Sequence, residues 1–173
     1  VYVYHVDTGT FPHVFRGHPD RVTSASWSPV GRLLASTGMG DKTRIWSLDA
    51  PPARMVFETP TYTCVSFDST GDYVVMATGK SLAVRDFRAN RNGPGMVTHF
   101  PEQRSIISVS FCPVGRLLAC LHVNGELRLV NADNGETVKI LAEDFDEPFY
   151  QNKNSQRLAW SDDGRLLVAP AGL

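Results

Sequence analysis

The 173-residue sequence has little of what would mark a function directly: only three cysteines, no long hydrophobic run and no surplus of charge of either sign. Apolar runs such as Tyr73 to Ala77 and Leu166 to Ala169 fall far short of the roughly 20 residues that cross a bilayer as a helix, which excludes such a helix. Seventeen Lys and Arg stand against eighteen Asp and Glu, a formal charge of −1. There is therefore no broad positive field to draw nucleic-acid phosphates or an anionic lipid surface, although a local DNA contact stays open. Cys64, Cys112 and Cys120 make neither an even set nor a CxxC pair, which argues against a disulfide scaffold and for a reducing compartment. Nor is there an Asn-x-Ser/Thr acceptor or a leader-like segment. A nuclear or else cytoplasmic protein is expected, not a secreted one.

The components of enzyme chemistry are also missing. His5, His13, His18, His99 and His122 are scattered, without a second His or Cys at metal-ligand spacing, so no metal site is expected. Gly38-Met39-Gly40 precedes a β-rich run instead of a helix and lacks the remaining phosphate-loop residues, which makes it a turn. Cys112 and Cys120 read as small buried hydrophobes. The sequence thus implies no catalytic residue, no cofactor and no small-molecule substrate, and leaves protein partners as the expectation.

What is present is repetition. Pro29-Val30-Gly31-Arg32-Leu33-Leu34-Ala35 recurs letter for letter at 113–119, loosely as Asp162-Asp163-Gly164-Arg165-Leu166-Leu167-Val168, and more weakly at Ser69 to Val75. The glycines of these copies are 40, 44 and 49 residues apart, the spacing of a propeller blade with loops of variable length. Each copy joins an alternating segment (Val22 to Trp27, Tyr62 to Phe67, Ile106 to Phe111, Gln156 to Trp160) to an apolar run through a turn, the pattern of a hairpin. Further strands follow at Thr43 to Leu48, Leu82 to Phe87 and Leu127 to Asn131, then at Ala53 to Glu58, Met96 to Phe100 and Thr137 to Leu141. No sustained helical periodicity occurs.

The expected fold is therefore all-β: a propeller of four-stranded antiparallel blades, labelled a to d from the first strand of each copy. The blades occupy 1–16 (strands c and d only), 17–58, 59–100, 101–142 and 155–173 (strands a and b only), with an acidic insertion at 143–154. Two arrangements fit these four blades' worth of strands. The end hairpins can pair to close a four-bladed ring, or the chain can be a slice of a larger ring of about seven blades. The ragged ends favour the slice, and a piece of a longer chain.

Gly17-His18, Trp27-Ser28-Pro29, Leu34-Ala35-Ser36 and Asp41-Lys42-Thr43-Arg44-Ile45-Trp46 together resemble one well-formed WD repeat. The resemblance implies a buried hydrogen-bond network of His18, Ser36 or Thr37, Asp41 and Trp46, each of which would be an unsatisfied polar group without the others. Asp41 lies one residue nearer Trp46 than the usual pattern. The later copies lack Gly-His and the Trp, presenting Arg85 or Val84 and then Val130 near its position, and are expected to rely on apolar packing.

A full repeat, two degenerate ones, the acidic stretch and then Arg157-Leu158-Ala159-Trp160 with an Ala-Pro ending is a succession similar to the N-terminal propeller of the replisome adaptor family of chromosome transmission fidelity protein four and acidic nucleoplasmic DNA-binding protein. That resemblance implies a non-catalytic nuclear scaffold coupling replication or chromatin factors. The ending Val168-Ala169-Pro170-Ala171-Gly172 is also similar to the histone-chaperone propeller family, which implies binding of a basic histone segment.

Two sets of side chains are candidates for partner binding. Arg32, Arg116 and Arg165 follow the turn glycine in three copies, and Arg88 and Arg91 sit in a c–d loop, all expected on one face, where they can hold an acidic peptide or DNA phosphates. Glu143, Asp144, Asp146 and Glu147, with Phe145 among them, can capture a basic segment. Asp20, Arg21, Lys42, Lys80, Glu102, Gln103 and Arg104 are expected on the opposite face. Solvated surface charge and a solvated loop are the competing readings.

Overall fold

The computed structural model describes residues 1–4, 6–10, 13–30, 33–48, 54–59, 62–87, 97–102, 104–143 and 157–169. Among these the chain forms sixteen strands and no helix. Three antiparallel four-stranded sheets follow one another in the sequence. The first comprises β3 (Val22–Trp27), β4 (Leu33–Gly38), β5 (Thr43–Ser47) and β6 (Arg54–Thr59); the second β7 (Cys64–Phe67), β8 (Tyr73–Thr78), β9 (Ser81–Asp86) and β10 (Val97–Pro101). The third comprises β11 (Ile106–Phe111), β12 (Leu117–His122), β13 (Leu127–Asn131) and β14 (Thr137–Ala142). Strands β1 (Tyr2–Val3) and β2 (His13–Val14) precede them, and β15 (Ala159–Trp160) and β16 (Leu167–Val168) follow, each pair a separate two-stranded sheet. This is the four-stranded-blade architecture of a β-propeller.

The sheets pack face to face in chain order, which explains the sequence pattern of their inner strands. Val74 and Met76 of β8 join Leu33, Ala35 and Ile45 of the first sheet in one core, while Val75 and Ala77 join Val109, Leu118 and Cys120 of the third sheet in another. A strand covered on both sides reads as a continuous apolar run instead of an alternation. Phe15, Leu34 and Trp46 pack with Val1 and Val3 of the leading hairpin, and Leu121, Leu127 and Leu158 with Trp160 and Leu167 of the trailing one.

Two recurrent devices set the distance between neighbouring sheets. Gly71 has φ of +74°, and a Cβ there would lie 2.4 Å from Ser28 Oγ; Gly164, at +68°, would meet Cys112 Sγ at 2.9 Å. Turn geometry and close approach to the preceding sheet thus both exclude a side chain. Along the first strands, Ser26 Oγ accepts the Phe67 N–H at 3.2 Å and Ser66 Oγ accepts the Phe111 N–H at 3.4 Å. Ser108 Oγ accepts the Leu158 N–H in the same way. A donor on each inner strand is satisfied by the previous sheet, which holds the inner edges together around a common hollow.

Several expected strands are shorter in the structure. Val1 to Val6 reduces to Tyr2–Val3, because β2 offers only His13 and Val14 as partners, and Val6 is 95% exposed. β7 starts at Cys64, after Tyr62 and Thr63. β14 carries the extra residues Leu141 and Val138 where its register against β13 shifts, and both side chains are exposed. Bulges of this kind twist an outer edge and blunt it against pairing with other strands.

Candidate functional site

His18, from the connection between β2 and β3, lies at the end of the first sheet against β4 and the turn that follows it. Its Nε2 is 2.7 Å from Ser36 Oγ, and its Nδ1 is 2.7 Å from Asp41 Oδ2. Trp46 Nε1–H donates to the same Ser36 oxygen at 2.8 Å. With a neutral imidazole the directions of these bonds follow from the Asp41 carboxylate, which can only accept, and the indole, which can only donate. Ser36, accepting from Trp46, gives its own proton to His18 Nε2, and His18 Nδ1–H then donates to the Asp41 carboxylate. The imidazole is neutral in this relay. Burial pushes its pKa below the ordinary 6.5 in spite of the Asp41 bond.

Ser36 takes the hydroxyl position and Thr37 does not. Successive side chains of a strand point to opposite faces. Thr37 Oγ1 instead lies 2.9 Å from Thr23 Oγ1, and both hydroxyls reach the Thr63 carbonyl just before the second sheet.

Arg44 completes the cluster. Its Nη1 donates to Asp41 Oδ2 and its Nη2 to Oδ1 at 3.3 Å, while Nε lies 4.0 Å from Glu58. The Arg44 guanidinium holds the Asp41 carboxyl down at about 2. The ring of His18 fits because residue 38 is glycine: a Cβ there would stand 2.8 Å from His18 Nδ1. Gly38→Ala is therefore expected to lower stability by about 1–3 kcal/mol, read as a shift in denaturation midpoint at unchanged m-value.

Both titrating groups are more acidic in the folded chain than in the unfolded one, so the unfolded state binds more protons and stability rises with pH. The His18 contribution is present above pH 6.5 and is lost as pH falls below it; the Asp41 contribution is lost between about 3.8 and about 2. Asp41→Asn is expected to remove the lower of these two steps from a plot of unfolding free energy against pH.

Residues 9–47 match the protein family described as WD domain, G-beta repeat. The match spans the His18, Ser36, Asp41 and Trp46 positions, and a WD repeat supports a protein-interaction scaffold. These four side chains bond to one another and to Arg44, an arrangement that locks a loop onto a sheet and contains no exposed reacting group.

The degenerate sheets depart from the expectation of purely apolar packing. In the second, Arg85 pairs in register with Val74 as Trp46 does with Leu34, and its guanidinium lies 5.0 Å over the Phe87 ring. In the third, a second ionic cluster occupies the corresponding end. His122 Nε2 is 3.5 Å from Glu102 Oε2, Arg128 Nη1 is 3.9 Å from the same oxygen, and Arg128 Nε bonds Glu126. Arg104 Nε lies 3.8 Å from Glu126 Oε2. Glu102, expected on the face opposite the turn arginines, is turned inward with 8% of its side chain exposed. Arg128 faces its charge there, which offsets part of the penalty of burial, while His122 Nε2 is a buried atom without a hydrogen-bond partner among the described residues.

The candidate partner-binding residues do not assemble into one patch among the described residues. Arg116 donates through Nε and Nη2 to Asp133 at 3.0 and 2.8 Å and stacks 3.7 Å over the Tyr73 ring of the second sheet. It is thereby engaged between sheets. Arg165 is open, with 85% of its side chain exposed, and Glu143 is exposed. Arg32, Arg88, Arg91, Asp144, Phe145, Asp146 and Glu147 lie outside the described residues. Burial raises the Cys64 thiol to about 12 and the Cys120 thiol well above its ordinary value, so neither is a nucleophile at neutral pH. No cluster of three or more His, Cys, Asp or Glu able to hold a metal ion occurs among the described residues.

Proposed function

We propose that the chain is a non-catalytic scaffold of the nucleus, an adaptor coupling components of the DNA-replication machinery or of chromatin. The observation that carries the scaffold part is the closed polar network of the WD repeat: its polar groups satisfy one another, leaving rigid turns and inner surfaces for partners. The replication part is supported by the succession of one full repeat, two degenerate copies, an acidic stretch and Arg157-Leu158-Ala159-Trp160.

Immunoprecipitation of the protein from synchronised cells tests both parts. Enrichment of replicative helicase and polymerase subunits in S phase is the expected result. Salt-sensitive recovery of histones alone favours the histone-chaperone family instead, and recovery of neither overturns the replication and chromatin assignment while leaving a scaffold for another complex. Arg32→Glu with Arg165→Glu is expected to reduce recovery of partners without changing the fold; undiminished recovery assigns those arginines to solvated surface.

A further inference from the structure

The first strands β3, β7 and β11, together with Arg157 and Leu158, line a hollow of about 580 Å³. None of the described residues around it carries a carboxylate. The hollow is rich in donors for a specific reason. Ser26 and Ser108 accept backbone N–H groups of the next sheet, so each retains its own hydroxyl proton to give. Ser24, Ser105 and Ser110 line it too, with hydroxyls that have no partner among the described residues. Arg157 is exposed at its border and makes no ion pair among the described residues. Five hydroxyl donors and the Arg157 guanidinium, with no carboxylate among the described lining residues, form an environment that favours negative charge.

We propose that this hollow binds an extended peptide segment bearing carboxylate or phosphate groups, held by the inner serines and Arg157. The proposal rests on the scaffold reading above and adds the chemical class of the partner segment. Phosphoserine and glutamate side chains present the same acceptor oxygens to these donors. A basic segment would leave Arg157 facing like charge and the hydroxyl protons without acceptors. An extended segment suits the site because the donors are spread along three neighbouring strands instead of gathered at one point.

The test is a titration of the isotope-labelled 173-residue chain, followed by amide chemical shifts, with three octapeptides in which glycine alternates with phosphoserine, asparagine or lysine. The phosphoserine peptide is expected to shift the amides of Ser24, Ser110 and Leu158 and to bind at least about tenfold more tightly than the other two. Arg157→Gln, at an exposed position where folding is not at risk, should weaken that binding by about tenfold, and Ser110→Asp should abolish it. Equal or tighter binding of the asparagine or lysine peptide, no binding of any, or an unchanged affinity in Arg157→Gln overturns the proposal. So does tighter binding of a short single-stranded oligonucleotide at the same residues, which would assign the hollow to nucleic acid. Each of these failures leaves the scaffold reading to the immunoprecipitation result, which does not depend on the hollow.

Discussion

Replacing Trp46 with alanine is expected to cost about 3–5 kcal/mol, the range for removing a buried large aromatic side chain. Trp46 is 4% exposed, its ring lies 5.0 Å from that of Phe15, and its N–H holds Ser36 in the relay to His18. The substitution therefore opens a cavity and also leaves Ser36 without its donor. Trp46→Phe separates the two contributions. It keeps much of the packing and loses the N–H, for an expected cost nearer 1 kcal/mol from the hydrogen bond together with a smaller packing loss. Chemical denaturation gives the totals, and hydrogen exchange should place the loss of protection in β1 to β6. A cost below about 1 kcal/mol for Trp46→Ala would mean that the relay and the Phe15 contact do not hold the first sheet.

Glu102→Gln should be nearly as damaging, at about 3 kcal/mol, although the side chain changes little in shape. Glu102 Oε2 lies 3.9 Å from Arg128 Nη1 and 3.5 Å from His122 Nε2, and the side chains of Glu102 and His122 are 8% and 1% exposed. Removing one partner from a buried ion cluster leaves the others uncompensated, which typically costs about 3–5 kcal/mol. Glu126 still serves Arg128, which places the expectation at the lower end. A useful control is Glu58→Gln, since the Lys42–Glu58 pair is 56% and 35% exposed and should contribute at most about 1 kcal/mol. Equal effects of the two substitutions would contradict the assignment of Glu102 as the anchor of the third sheet.

The blades are legible in the sequence because the turn copies repeat the same physical requirement, a glycine at positive φ, as at Gly71, Gly115 and Gly164; at Gly71 and Gly164 it also lies close against the preceding blade. The first polar network is legible for the same kind of reason, since His18, Ser36, Asp41 and Trp46 fall in one well-formed repeat. The short spacing from Asp41 to Trp46 is accommodated by Gly38, which makes room for the imidazole, and by Arg44, which draws in the carboxylate.

The ionic cluster of the third sheet escapes a motif search because its members have changed places. Glu102 stands four residues before Ile106 as His18 stands four before Val22, and His122 occupies the position of Gly38. The base and the acid are thus contributed by opposite segments. The signal that was available is the shared arginine: Arg44 pairs with Ser36 and Arg128 with Cys120 at the same register position. The arginines of the a–b turns show the converse. Their repetition suggests a common face, but Arg116 is drawn to Asp133 and Tyr73 by contacts that only the neighbouring sheet supplies.

The most direct measurement is residue-resolved hydrogen exchange of the chain at neutral pH, because protection reports which strands share a core. If successive four-stranded sheets pack face to face, β4, β8 and β12, buried on both sides, will exchange most slowly, and β14 much faster. The Phe67, Phe111 and Leu158 amides, bonded to serines of the preceding sheets, will be protected although they lie on inner edges. Uniformly fast exchange in β8, or unprotected amides at all three of those positions, would contradict a propeller of packed blades.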